Sequence, residues 1–388
     1  MPTRTHLLAA GAFAVGTSGY IVSGVLPLVS EELHVSHATA GQLLTAFAIA
    51  YAISSPLLAA LTGRWERRAL LVAALGTAAL GNLVAALAQN YPSLLVGRVV
   101  SALGAAVYTP GATLVATVLS PPEQRGRAVA LVFGGLTLSL VLGVPLGNLL
   151  GASLGYRGVF ALIALASALA AAALWRWLPR VDAPPAVSLR DRFAPAADRR
   201  VRTVLALTVL ACLSAFSVFN FIAPLLTETA GVTGAAVSAL LVAYGLGGVL
   251  GNWAAGRLTD RFDTRKLLPA QFSLFVVVLA TLPLTTTTPV TAAVALFTWG
   301  ALTWSVNPPI QSILIEAAPA GGGGLLLSLN ASAIYLGVGL SGVVGGLVVS
   351  RVGVVPLAPI AAVPALVALV LLVFALRPAQ EPKALVVT

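Results

Sequence analysis

The chain has 388 residues, 59% of them apolar and only 9% charged, against about 25% charged in an ordinary soluble domain. Its excess of 22 basic over 12 acidic residues would suggest nucleic acid as a partner in a water-soluble protein; here the arginines fall between apolar segments, and no nucleic-acid partner is expected. One cysteine, Cys212, excludes a disulfide framework and a thiolate metal cluster.

A bilayer crossing takes about 20 apolar residues, and a charge in hydrocarbon costs at least about 2.5 kcal/mol. Runs free of Asp, Glu, Lys and Arg therefore mark candidate crossings. In chain order they begin with 7–30 and 38–63. The run 69–122 is interrupted only by Arg98 and holds two helices turning at Asn90, Tyr91 and Pro92. Then come 128–156, 158–175, 203–227 and 229–256; a double run 267–315 parting at 285–289; and finally 317–350 and 352–376. Twelve spans result. Lipid offers no partner to an unpaired backbone amide, and the runs are too long and unalternating for barrel strands, so the expected class is an all-α polytopic membrane protein. The first run exceeds the 7–15-residue core of a cleavable signal and reads as a retained signal anchor.

The basic residues occupy alternate connections, with only Arg157 and Arg351 on the opposite ones and Arg98 inside a span. The positive-inside rule then places both termini in the cytoplasm. The longest basic connection carries Pro184, Pro185 and Pro195 and reads as a linker. The expected organisation is a six-helix bundle over 1–178, a cytoplasmic linker over 179–200, a second six-helix bundle over 201–376 and a cytoplasmic tail over 377–388. An offset of 197 residues brings Arg64 onto Arg261, Arg68 onto Arg265 and Leu70-Leu71 onto Leu267-Leu268. Two parallel halves of this kind are a transporter architecture with the site between them near mid-membrane.

The segment from Gly256 through Arg257, Asp260, Arg261 and Arg265 to Lys266 closely resembles the loop signature of the major facilitator superfamily. Its first-half counterpart has Ala59 for the leading glycine and Gly63 for the aspartate, while keeping Arg64 and Arg68. Arg98 with Gly104 resembles the family's fourth-span signature. Gly143, Pro145 and Gly147, followed by Tyr156, Arg157 and Phe160, are similar to the fifth-span motif of its exporters. The likeness is greatest to the twelve-span drug:proton antiporters, including arabinose-efflux and chloramphenicol-exporter types. Many such relatives carry a membrane-embedded acid in the first span; Gly19 stands there in this chain.

The resemblance implies a cell (inner) membrane transporter and assigns roles. Arg98, an intramembrane charge, is expected to face the cavity and orient substrate. Tyr20, Tyr108, Asn220, Trp299, Trp304 and Asn307 are further substrate-binding candidates on the first, fourth, seventh and tenth spans. The gating set is Gly256, Arg257, Asp260, Arg261 and Arg265 with Arg64 and Arg68. Asp260 is expected to meet the start of the fifth span near Gly126, as a carboxylate gains about 0.3–1 kcal/mol at a helix N-terminus, and to latch the outward-facing state. Gly143, Gly147 and Gly151 have close-packing spacing, with Pro145 expected to bend the fifth span. Gly337, Gly342 and Gly346 suggest a similar contact in the eleventh.

His34 and His37 lie with Glu31 and Glu32 in a connection, too sparse a ligand set for a metal site. There is no phosphate-binding loop. The serine-elbow pattern at 151–155 lies at the end of an apolar span, and all three histidines precede it. No enzyme and no cofactor are expected. The reading is a monomeric secondary transporter that exports a small amphipathic compound by alternating access and proton antiport. The alternatives are a sugar or nucleoside efflux permease, an uncoupled facilitator, or a membrane sensor or assembly partner that does not transport.

Overall fold

A computed structural model of the protein describes residues 3–183, 194–318 and 323–375. Among the described residues all regular structure is helical. The first half comprises α1 (Thr3–Tyr20), α2 (Val22–Glu32), α3 (His37–Leu61), α4 (Arg67–Ala86), α5 (Tyr91–Val118) and α6 (Arg125–Trp177). The second comprises α7 (Arg199–Phe219), α8 (Ile222–Ala230), α9 (Ala235–Arg261), α10 (Thr264–Thr285), α11 (Pro289–Ser305), α12 (Asn307–Ala317), α13 (Gly323–Val352) and α14 (Leu357–Ala375).

Eleven helices are long and apolar enough to cross a membrane, and α1 with α2, bent by 50°, makes a twelfth. Helix α6 contains two crossings, parted at Gly155, whose φ of 65° interrupts the helical path. Glycine reaches that left-handed region without the Cβ penalty. The turn expected at 90–92 is a cap: Asn90 accepts the backbone N–H of Ser93 at 3.0 Å. That expected at 285–289 is a capping box made by Thr288 and Thr291. Glu66, Asp198 and Asp263 cap α4, α7 and α10 in the same way, using side-chain oxygens for N–H groups that have no intrahelical partner.

Three crossings carry a break in the helix: α1/α2 at Ile21, α7/α8 at Asn220 and Phe221, and α11/α12 at Val306. The last break precedes Pro308 and Pro309, which supply no N–H to the preceding turn. Broken backbone at membrane depth is tolerated where it is buried in protein or lines a cavity, and all three of these crossings contribute to the cavity described below.

Four buried apolar clusters hold the helices, two centred in each half. Close backbone approach supplements them: a Cβ on Gly97 would lie 2.7 Å from the Ala85 backbone nitrogen, so α4 and α5 pack without intervening side chains, as small residues permit in membranes. Pro184 and Pro185 of the expected linker, and the tail from 376, lie outside the described residues.

Candidate functional site

Between the halves lies a cavity lined by Tyr20 of α1, by Thr208, Ala211, Cys212, Ala215 and Phe216 of α7, by Thr303 and Trp304 of α11, by Asn307 and Ile310 of α12 with Val306 between them, and by Ile334 of α13. Of the substrate-binding candidates, Tyr20, Trp304 and Asn307 are brought together here. The others lie elsewhere. Tyr108 is fully buried in the first half, its hydroxyl donating to the Leu8 carbonyl at 3.0 Å. Trp299 is fully buried and packs on Tyr244 with ring centroids 4.6 Å apart. Asn220 caps α7 and donates to Ser341 Oγ at 3.1 Å.

Arg98 is not a cavity-lining side chain. It is wholly buried in the first half, donating to the Ser18 carbonyl at 2.7 Å and hydroxyl at 3.3 Å, with its guanidinium 4.5 Å from the Phe47 ring centre and 5.8 Å from that of Phe160. Ser18 in turn donates to Asn82 Oδ1 at 2.9 Å. A buried charge with no carboxylate beside it is costly; a carbonyl dipole and two ring faces offset part of that cost. The arrangement ties α1, α3 and α6 to α5.

The gating residues divide sharply. Asp260, only 5% exposed, accepts the backbone N–H of Gly126 at 2.6 Å and of Arg127 at 3.3 Å. Its Oδ2 is also 2.8 Å from Arg127 Nε. One carboxylate from the second half thus occupies the start of a first-half helix, where dipole and charge both favour it. Gly126 is required there: a Cβ would stand 2.6 Å from the Gly256 carbonyl and 2.7 Å from Asp260 Oδ1. Higher along the same seam, Asn252 donates to the Ala130 carbonyl at 2.6 Å, and a Cβ on Gly248 would meet Thr137 at 3.0 Å.

The other named arginines act within their own halves or face outward. Arg68 lies 4.8 Å over Trp175 and donates to the Leu178 carbonyl at 3.3 Å. Arg257 stacks on Trp253 at 3.3 Å. Arg64, Arg261 and Arg265 are exposed. Beside Arg68, partial burial works to raise the Glu66 pKa, but the backbone N–H groups of Val181, Ala69 and Arg68 and the Arg68 charge bring its carboxyl below the ordinary value.

A second seam joins α3 to α13. Ser332 donates to the Ala52 carbonyl at 2.6 Å, and Tyr51 stacks on Tyr335 with centroids 4.0 Å apart. The glycines with close-packing spacing pack on α1 and α2: a Cβ on Gly143 would meet Tyr20 at 3.1 Å and one on Gly147 the Ile21 carbonyl at 2.7 Å. They cradle the α1/α2 break inside the first half, as does Gly151 against Leu28. The side chain of Pro145 lies outside the described residues. In α13, Gly337 packs on α7, whereas Gly342 meets nothing within 4 Å, and Gly345 rather than Gly346 makes the close contact, 2.8 Å from Phe221.

Residues that the sequence left unmarked matter as much. Arg127, Asn252, Ser332 and Tyr335 make the seams, and Thr208, Cys212 and Phe216 line the cavity. Asn252 carried a signal, being an amide inside an apolar run; the remainder had none apart from their span.

The chain matches the sequence model of the Major Facilitator Superfamily over residues 8–337 and again over 205–387. It is 34% identical over 325 residues to a chloramphenicol resistance protein of Streptomyces lividans, covering 82% of this chain and 83% of that one. It is 31% identical over 343 residues to the inner membrane transport protein YdhP of Escherichia coli K12, covering 88% of each. In fold it resembles the crystal structure of the transporter FucP in its outward conformation, with a TM-score of 0.78, 18% identity, and 98% and 99% of the two chains covered.

Proposed function

Because the chain belongs to the major facilitator superfamily, a family of transporters and not of enzymes, we propose that it exports a small amphipathic compound across the cell membrane by alternating access, in exchange for protons. The carrying observation is the position of the seams around the cavity. Both begin near the end that holds the basic connections, at Asp260 on Gly126 and at Leu114 beside Gly323. They run to mid-span, at Val141 against Gly245 and Phe47 near Tyr335. Closure at one end of a central site is what alternating access requires, and rocking the halves exchanges the closed end. With the basic connections in the cytoplasm, the closed end is the cytoplasmic one.

Export and its substrate class draw support from the chloramphenicol resistance protein among the relatives and from the aromatic character of the cavity wall. Expression in a drug-sensitive bacterial host should raise the tolerated concentration of chloramphenicol or of another amphipathic antibacterial. Unchanged tolerance across such a panel would overturn export. Coupling is a separate matter. Among the described residues each Asp and Glu stands at a helix end or in a connection, an observation that favours an uncoupled facilitator as the second reading. In proteoliposomes holding a pH dye, antiport predicts that adding substrate moves protons the opposite way; substrate flux with no proton movement leaves the facilitator.

A further inference from the structure

The central cavity is unequal in origin and uniform in charge. Apart from Tyr20, each residue lining it follows position 193, and none carries a charge. Three rings, Tyr20, Phe216 and Trp304, make its apolar surface. Its polar side is Thr208, Thr303 and Asn307, with the Cys212 thiol between α7 neighbours. Behind Thr208 stands Asn330, wholly buried. The Thr208 hydroxyl is 2.7 Å from Asn330 Oδ1 and 3.1 Å from the Val204 carbonyl, and Asn330 Nδ2 has no hydrogen-bond partner among the described residues.

We propose that this pocket admits uncharged aromatic molecules bearing an amide, hydroxyl or carbonyl group, and that the second half does the selecting while the first supplies Tyr20 and the moving wall. This names the substrate class of the export site and rests on the transporter reading. A charged ligand entering the pocket exchanges its water shell for rings, methyl groups and a few neutral dipoles, with no countercharge in the lining; such burial is strongly unfavourable. A neutral polar group meets the opposite situation. The Thr208 oxygen retains acceptor capacity, and a buried amide donor behind it that lacks a partner favours any ligand acceptor that draws the pair into a completed network. The flat rings accept an aromatic body at small entropic cost.

The test uses three near-isosteric probes, 2-naphthamide, 2-naphthamidine as the cation and 2-naphthoate as the anion, on the purified full chain in lipid nanodiscs. Cys212 is the one cysteine of the chain and lines the pocket, so the rate of its alkylation by N-ethylmaleimide, read by mass spectrometry, reports occupancy. The rise in melting temperature measured in parallel ranks the probes even where alkylation is slow. The amide should protect at concentrations about ten-fold or more below either charged probe. Asn307→Asp and, independently, Thr303→Asp should move the preference to the amidine. Equal or better binding of a charged probe by the unsubstituted chain, no binding of the amide, or an unchanged ranking in both aspartate variants would each overturn the proposal. Since these readouts need no transport, their failure is distinguishable from failure of the export reading, which the growth and flux assays decide.

Discussion

The two seams that close the basic end differ in what holds them. Between α6 and α9 a nearly buried carboxylate, Asp260, takes two backbone N–H groups and a guanidinium from the other half. Between α3 and α13, the residue 197 positions before Asp260 is Gly63 and the one 197 after Gly126 is Gly323. There the contact is apolar, with Leu114 of the neighbouring α5 3.2 Å from where a Gly323 Cβ would stand, supplemented by one hydroxyl bond and a stacked tyrosine pair between α3 and α13. A duplicated fold has kept one charged lock and one greasy seam. The lesson is that pseudo-symmetry places elements without equalising their energetics: hydrogen bonds to charged groups are worth about 1.5–3 kcal/mol and neutral ones about 0.5–1.5 kcal/mol.

The inequality can be broken most forcefully at the point of closest approach. Gly256→Leu would drive a side chain into Ala130 and the Gly126 carbonyl; overpacking costs about 1–3 kcal/mol, which is about 5–150-fold in a two-state balance. The seam should part, and alkylation of a Thr62→Cys reporter, at a position that shares a cleft with Leu114, Gly324 and Ser328 between the halves, should accelerate correspondingly in a Cys212→Ala background. Asp260→Asn keeps the shape and removes the charge. It should move the same reporter in the same direction by about ten-fold, the equivalent of about 1.4 kcal/mol; an unchanged rate would mean that the carboxylate latches nothing.

Smaller effects sharpen the contrast. Ser332→Ala removes one bond of the second seam and should shift the reporter by no more than about 0.5–1.5 kcal/mol, well short of Asp260→Asn. Equal shifts would erase the distinction between the seams. Glu66 supplies the complementary case, an acid bonded by Arg68, Ala69 and Val181, none of them in the second half. Its folded pKa is lowered, so its contribution is present above the ordinary glutamate value of about 4.3 and is lost as pH falls through the folded value. Melting temperature should therefore fall more steeply below about pH 4.3 in the unsubstituted chain than in Glu66→Gln, while the Thr62→Cys reporter at neutral pH responds little to that substitution.

Legibility in the sequence followed the physical cost of error. A misplaced charge in hydrocarbon is expensive, so the uncharged runs located the crossings, and the turns expected at 90–92 and 285–289 hold the caps Asn90 and Thr288, which answer orphan donors at the helix starts. Asp260 stood out as an acid in a basic connection. The breaks at Ile21 and Asn220 left no mark of their own, since a bend changes neither charge nor hydropathy and the Asn220 amide reads equally as a cavity side chain. Pro308 and Pro309, just past the third, are its one trace in the sequence. Site residues were harder to read. Tyr108 and Trp304 look alike along the chain, because an aromatic at helical spacing serves a core or a cavity equally; only the packing sends one to Leu8 and the other to the central wall. The depth of Arg98 was readable and its surroundings were not, since the rings of Phe47 and Phe160 come from distant spans.

Alternating access requires the two halves to move against each other about the central cavity. Spin labels at Arg64 and Arg261 report the basic end, and labels at Gln89 and Thr287, all exposed, report the opposite end. Distances measured by double electron–electron resonance in nanodiscs, with and without Asp260→Asn, test the motion directly. Rocking predicts that the substitution lengthens the 64–261 distance and shortens the 89–287 distance in the same population. Two distances that stay fixed, or that change together in one direction, would contradict it.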